Sequence, residues 1–321
     1  MTTTTQKKIY QKRPEDISFL INKLRKRGLI IKEQKAAEHA LTFIGYYRLR
    51  GYFYPFYLMD EQRIPQPIEP KHFVEGTTLE DVLQLYEFDR KLRLIILEQI
   101  QKVEIALRTC LSEHMCGKYG AHWFMNLSVL SNDYHYENFF GQINEAKETF
   151  IEHYKQKYHT PKYPPSWMIT ETLSFGSWSK IYKSLLQVDQ KAIARKFNVK
   201  SYEVMASWFH TLSHIRNLCA HHNRIWNRSF RAFPPKKGRE LEQHIINPTT
   251  LYSRLAILKY LSAQVSYYNG LKTQLTELMK EKPCCVNWET MGFIDNWEHS
   301  SLWQSNTDFC EKETSSDRIH G

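Results

Sequence analysis

TTLEDVLQLYEFDRKLRLIILEQIQKVEIALRTCLSEH, residues 77–114, decides the fold. Apolar side chains return through it at helical spacing (Leu79, Val82, Leu83, Tyr86, Leu94, Leu97, Val103, Leu107, Leu111), and it holds neither glycine nor proline. Thr77 or Thr78 offers a hydroxyl to cap its start. An uninterrupted pattern of this length predicts the central helix of a bundle.

Reading outward from it, the chain stays helical. On the N-terminal side, residues 16–27 carry Ile17, Leu20, Ile21 and Leu24 on one face and stop at Gly28. Residues about 33–44 stop in the same way at Gly45; glycine after the last helical turn is a common C-terminal cap. On the C-terminal side, helices are predicted over about 136–158, 177–186, 190–197, 201–222 and 249–278, with the Thr160–Pro165 stretch as a rigid connector. Strand-like alternation is scarce. The expected fold is mostly α, a helical bundle with a small N-terminal helical segment. The boundaries read as a disordered 1–13, an N-terminal helical and aromatic-basic segment 14–75, a helical domain 76–280, and an acidic C-terminal tail 281–321.

Charge divides along that last boundary. Residues 281–321 hold eight acidic against three basic residues, and the first 280 hold 41 basic against 26 acidic, a surplus of +15. A basic body calls for an anionic partner such as nucleic acid. Residues 46–57 pack seven aromatic rings and two arginines, Arg48 and Arg50, into twelve positions. Such interleaving can stack unpaired bases, although core packing accounts for most of the rings more simply. The six cysteines have neither zinc-site spacing nor disulfide-scaffold density. No apolar run reaches membrane-spanning length and the N-terminus lacks a signal-peptide core, so a cytoplasmic protein is expected, with no membrane partner. No glycine-rich phosphate loop or nucleophile elbow is present, and no cofactor is expected.

The chemistry concentrates in Ser213–Arg228, which has three histidines, three arginines and three asparagines in sixteen residues. Arginine offers a fixed, always-charged fork that fits a phosphate, and histidine exchanges a proton near neutral pH. On a straight helix His210, His214, Asn217 and His221 fall near one line. Arg216 and His221 diverge by roughly 140° on an ideal helix. They meet only if the helix ends or kinks near Ala220, or if a second copy of the motif faces the first. His210 and His214 have the i,i+4 spacing of a metal pair, but the glutamate of a metalloprotease helix is missing and no third ligand is evident, so no metal is assigned.

The six residues Arg216-Asn217-Leu218-Cys219-Ala220-His221 resemble the arginine, polar residue and histidine signature of HEPN ribonucleases. The longer string Ile215–Arg228 resembles the abortive-infection (Abi-like, AbiD/AbiF) family of bacterial defence proteins. Four further blocks resemble that family in order, Lys26–Leu29, Gly45–Tyr52, Tyr86–Arg93 and Val103–Arg108, and Met291–Trp297 does so after the motif. The resemblance extends from about residue 14 to about 303. It implies a helical bundle of HEPN type and a metal-independent endoribonuclease, a toxin of an abortive-infection or toxin–antitoxin system. Its catalytic residues would be Arg216, Asn217 and His221, with Glu104, Arg108 and His222 in support. Arg48, Arg50, Asn223, Arg224 and Arg228 are candidate RNA contacts.

The implied partners are an RNA substrate and a small non-coding RNA or other antitoxin. HEPN nucleases join two motifs across a dimer, so one clear motif predicts a homodimer. Arg108 and His114 also have a loose motif spacing, but a Glu104–Arg108 pair at i,i+4 explains that stretch more simply. The alternative function is a non-catalytic RNA-binding module using the same basic surface.

Overall fold

The computed structural model describes residues 13–304, apart from 61, 63–65, 132–135 and 267–268. The expected frayed N-terminus up to residue 12 and the end of the acidic segment beyond residue 304 lie outside the described residues. The described chain is mostly helical, with isolated bridges but no strand or sheet. The helices are α1 (Ile17–Lys26), α2 (Gln34–Phe43), α3 (Tyr46–Phe53), α4 (Leu79–Tyr119), α5 (Tyr136–Glu145), α6 (Thr149–Lys157) and α7 (Ser166–Ile169). They continue with α8 (Phe175–Ser184), α9 (Gln187–Lys196), α10 (Tyr202–Ala220), α11 (Leu251–Val265), α12 (Leu271–Lys280) and α13 (Ser301–Gln304). No helix among the described residues is long and apolar enough to cross a membrane.

The chain divides into two compact units, residues 1–88 with 283–285, and residues 89–282 with 286–321. In the first unit, Asp16 caps α1 by accepting from the Phe19 backbone N–H at 2.7 Å. Gly28 and Gly45, both at φ +89°, close α1 and α2 as expected. The aromatic stretch forms α3 and a 3-10 turn, which the sequence reading did not foresee. Leu49, Tyr52, Phe53, Phe56 and Tyr57 are core, whereas Tyr47 is 87% exposed beside exposed Arg48 and Arg50.

The long helix α4 begins where the sequence placed it. Thr78 and Asp81 cap it reciprocally: the Asp81 N–H donates to the threonine hydroxyl at 3.2 Å and the Thr78 N–H to the carboxylate at 2.8 Å. Its buried stripe keeps the expected Leu79, Val82, Val103, Leu107 and Leu111 towards its two ends. Between them it departs: Leu94 is 53% exposed, and Leu85, Phe88, Leu92, Ile96 and Ile100 are buried. Asp89, Arg93, Gln99 and Glu104 are buried along the same helix.

In the second unit the two long helices expected beyond α4 are each broken. The 136–158 stretch becomes α5 and α6, and the 249–278 stretch becomes α11 and α12. At the second break Asn269 accepts the Leu271 N–H on its side chain at 3.2 Å, and Gly270 precedes the first turn of α12. An Asn-Gly pair competes with helix continuation in this way. Residues 286–304, expected as part of an acidic tail, pack into this unit through Met291, Trp297 and Trp303. Gly292 is required there, because a Cβ would lie 2.3 Å from the Thr250 Cβ at the start of α11.

Candidate active site

The polar stretch begins inside α10, which Ser201 caps by accepting the Val204 N–H at 3.3 Å. Leu212, Ile215 and Cys219 anchor its inner face, and burial pushes the Cys219 thiol up to about 12, so it is an inert apolar group. The helix ends at Ala220, two residues before the expected limit. His221 is the C-cap, and His222 takes a left-handed conformation at φ +58°. The His222 N–H then reaches the Cys219 carbonyl at 3.0 Å and the Asn223 N–H the Leu218 carbonyl at 2.8 Å. This is a Schellman stop with histidine where glycine is usual.

Two buried acids of α4 hold that terminus. Asp89 is wholly buried and accepts the Ile225 and Trp226 backbone N–H groups on Oδ1, at 3.2 and 2.7 Å, while its other oxygen pairs with Arg93. Arg93 in turn donates to the Asn223 carbonyl at 3.4 Å. One helical region further on, Glu104 pairs with Arg108 through Oε1 and lies 3.5 Å from the Arg216 Nε through Oε2. The Arg216 Nη1 also points to Asn217 Oδ1 at 3.5 Å, the outer limit of a hydrogen bond. Burial of a carboxylate between two guanidinium groups needs no further counter-charge.

Of the predicted residues, Arg216, Glu104 and Arg108 are thus brought together. Asn217, His221, His222 and Asn223 form an exposed strip around the helix end. Arg224 and Arg228 follow on the next turn, half-buried, with Arg228 donating to the Arg224 carbonyl at 3.3 Å. Arg48 and Arg50 belong to the first unit. Among the described residues no hydrogen bond joins Arg216 to His221. His114 is taken up elsewhere: with Lys118 and Tyr119 it binds the buried Asp189 carboxylate, at 2.9, 2.7 and 2.8 Å. His210 and His214 pack edge-on against Phe233, and no cluster of three metal-ligating side chains occurs among the described residues.

The Abi-like protein family profile matches residues 39–227, from α2 to the loop that Asp89 holds. The chain belongs to the Abi-like protein family. Searches of curated proteins and of solved structures found no match. An Abi-like chain of this kind points to a role in abortive infection.

Asp89 and Arg93 are the structural residues that the sequence reading did not single out. They stood inside the Tyr86–Arg93 block, and an acid and an arginine spaced i,i+4 on an otherwise apolar stripe were the available signal.

Proposed function

We propose that this Abi-like protein is a metal-independent endoribonuclease, the toxin of a bacterial anti-phage abortive-infection or toxin–antitoxin system, acting in the cytoplasm as a homodimer. One observation carries the reading: Glu104 of α4 seats Arg216 beside the exposed Asn217 and the histidine-bearing terminus of α10. A guanidinium held by a buried carboxylate, on the same helix end as exposed imidazoles, suits in-line attack at phosphorus once two copies of that end face each other. The ribose 2′-hydroxyl attacks the neighbouring phosphorus and the bond to the 5′-oxygen breaks. The products are a cyclic phosphate and a free 5′-hydroxyl. Imidazole takes the 2′-hydroxyl proton and returns one to the leaving oxygen, with two copies of His221 dividing these tasks across the dimer. Arg216 stabilises charge on the pentacoordinate phosphorus, and Asn217 orients phosphate or imidazole. Arg48, Arg50, Asn223, Arg224 and Arg228 hold the RNA, and a small non-coding RNA or other antitoxin silences the toxin.

The purified protein should cut single-stranded RNA in excess EDTA, leaving 5′-hydroxyl ends. Arg216→Ala and His221→Ala should each abolish cutting and keep the helical signal. Because two copies of His221 share the work across the dimer, mixing the two dead variants should restore no activity; recovery of about a quarter would show instead that each site pairs Arg216 of one subunit with a single His221 of the other. Activity lost in chelator and rescued by a divalent cation would overturn the mechanism. Binding without any cyclic-phosphate product would leave an RNA-binding module, in which Arg216→Ala only weakens affinity and flattens its salt dependence.

A further inference from the structure

The second unit contains a cleft of about 810 Å³ that the Arg216 site does not use. It lies between α8, the N-terminal half of α10 and the loop after Phe230, the basic stretch Arg231–Gly238. Lys180 and Lys183 of α8 line it together with Lys236 of the loop. Among the described residues none of these three ammonium groups is in an ion pair. The single acid of the lining is Glu203, whose carboxyl is held below its usual value first by the Ser201 hydroxyl, and also by Tyr202 and Lys236. The cleft therefore keeps a surplus of positive charge.

His210 of α10 lines the same cleft. Burial first, and then the charges of Lys183 and Lys180, push its imidazole below the ordinary value. A neutral imidazole there donates and accepts without adding charge.

The loop that carries Lys236 also brings an aromatic ring to the cleft. Phe233 is 48% exposed, at φ +54°, a conformation that a bulky residue adopts only when its surroundings enforce it. They do so here. The Phe233 carbonyl accepts the Thr211 hydroxyl at 3.0 Å, and its ring meets His210 edge-on at 4.1 Å. The Lys236 N–H donates to Ser207 at 2.8 Å, and the Lys236 carbonyl accepts the Trp208 indole at 3.0 Å. Gly238 is pressed so close that a Cβ would meet Val204 at 2.9 Å. Strain, exposure of an apolar ring and three exposed lysines around one concavity are more than packing requires.

We infer that this cleft binds a phosphorylated nucleoside, with phosphate on Lys180, Lys183 and Lys236 and the base against Phe233. Its volume falls within the usual range for small-ligand pockets, roughly 300–1,000 Å³, and base-on-ring stacking is indifferent to base identity. The nucleotide is either free in solution or one residue of an RNA strand. The cleft shares no lining residue with the Arg216 site, so this inference and the proposed cleavage fail separately.

The test is calorimetric titration with ATP, with inorganic phosphate, and with a 2′-O-methyl RNA pentamer that cannot be cut. Wild type should bind ATP or the pentamer, and more tightly than inorganic phosphate. Affinity should fall at least about tenfold, roughly 1.4 kcal/mol, in Lys180→Glu/Lys183→Glu and in Phe233→Ala. Phe233→Tyr should bind both probes like wild type and Arg216→Ala should bind ATP like wild type, and thermal melts confirm that every variant is folded. ATP binding identifies a free nucleotide; binding of the pentamer alone identifies a strand residue. The inference is overturned if neither probe binds, if the lysine variant binds like wild type, or if only Arg216→Ala loses binding.

Discussion

The Glu104 carboxylate of α4 lies 3.5 Å from the Arg216 Nε of α10 while its other oxygen holds Arg108. In the proposed cleavage Glu104 is therefore a positioning residue, one that acts through the Arg216 fork. Glu104→Gln keeps the shape and removes the charge. Its expected effect is a drop in RNA cleavage of about tenfold, equivalent to about 1.4 kcal/mol of lost transition-state stabilisation. A positioning role places that loss in kcat rather than KM, and Glu104→Asp should recover part of it. An unchanged kcat in Glu104→Gln would remove Glu104 from the site.

The second buried acid does a different job. Asp89 satisfies two backbone N–H groups of the loop after α10 and neutralises buried Arg93. Asp89→Ala leaves that guanidinium without its carboxylate and both N–H groups without their acceptor. Removing one partner of a buried pair costs about 3–5 kcal/mol. Urea unfolding should show a loss of that order, with cleavage lost even at temperatures where the variant stays folded. A loss below 1 kcal/mol, on the scale of an exposed pair, would show that solvent reaches Asp89.

His222 separates backbone from chemistry. Its φ of +58° suits glycine, and a side chain there costs roughly 1 kcal/mol or more. His222→Gly and His222→Ala both delete the imidazole, so any difference between them reports the backbone alone. The glycine variant should be the more stable by about 1 kcal/mol. If the imidazole supports catalysis, the two variants lose activity equally. Equal stability of the two would mean that the turn opens in solution.

Much of this arrangement was legible in the chain, and the gaps have physical causes. The capping box at Thr78, the glycine stops at Gly28 and Gly45 and the length of α4 follow from local rules acting within one turn. The face of the middle turns of α4 did not, because Leu94 and Ile96 are equally apolar and only tertiary packing decides which one faces the core. The Arg216 motif was visible as composition, and the family resemblance alone tied Glu104 and Arg108 to it. Glu104 lies more than a hundred residues before Arg216, as Asp89 does before the Ile225 and Trp226 N–H groups, and no periodicity links acids to donors at that distance. The helix end at Ala220 was hidden for another reason: a stop normally marked by glycine is made here by His222.

Stability should respond to acid in two separate ranges. Burial lowers the imidazoles of His122, His210, His214 and His244 from the ordinary 6.5. Above that pH these groups are neutral folded and unfolded. Below it the unfolded chain takes up protons that the folded chain refuses, so stability falls with pH until the folded values are passed. Asp189 gives the second range. Burial acts to raise its carboxyl, but the hydrogen bonds from Lys118, His114 and Tyr119 outweigh it and leave the group below the usual 3.8. Its contribution is complete above that value and is lost as pH falls through the lower folded one. Urea midpoints measured from pH 8 to pH 2.5 should therefore step down first below about 6.5 and again below about 4. His210→Gln with His214→Gln should shrink the first step, and Asp189→Asn should remove the second while costing about 1–3 kcal/mol at neutral pH. A profile that is flat from pH 7 down to pH 4 would show that these imidazoles are solvated in the folded protein.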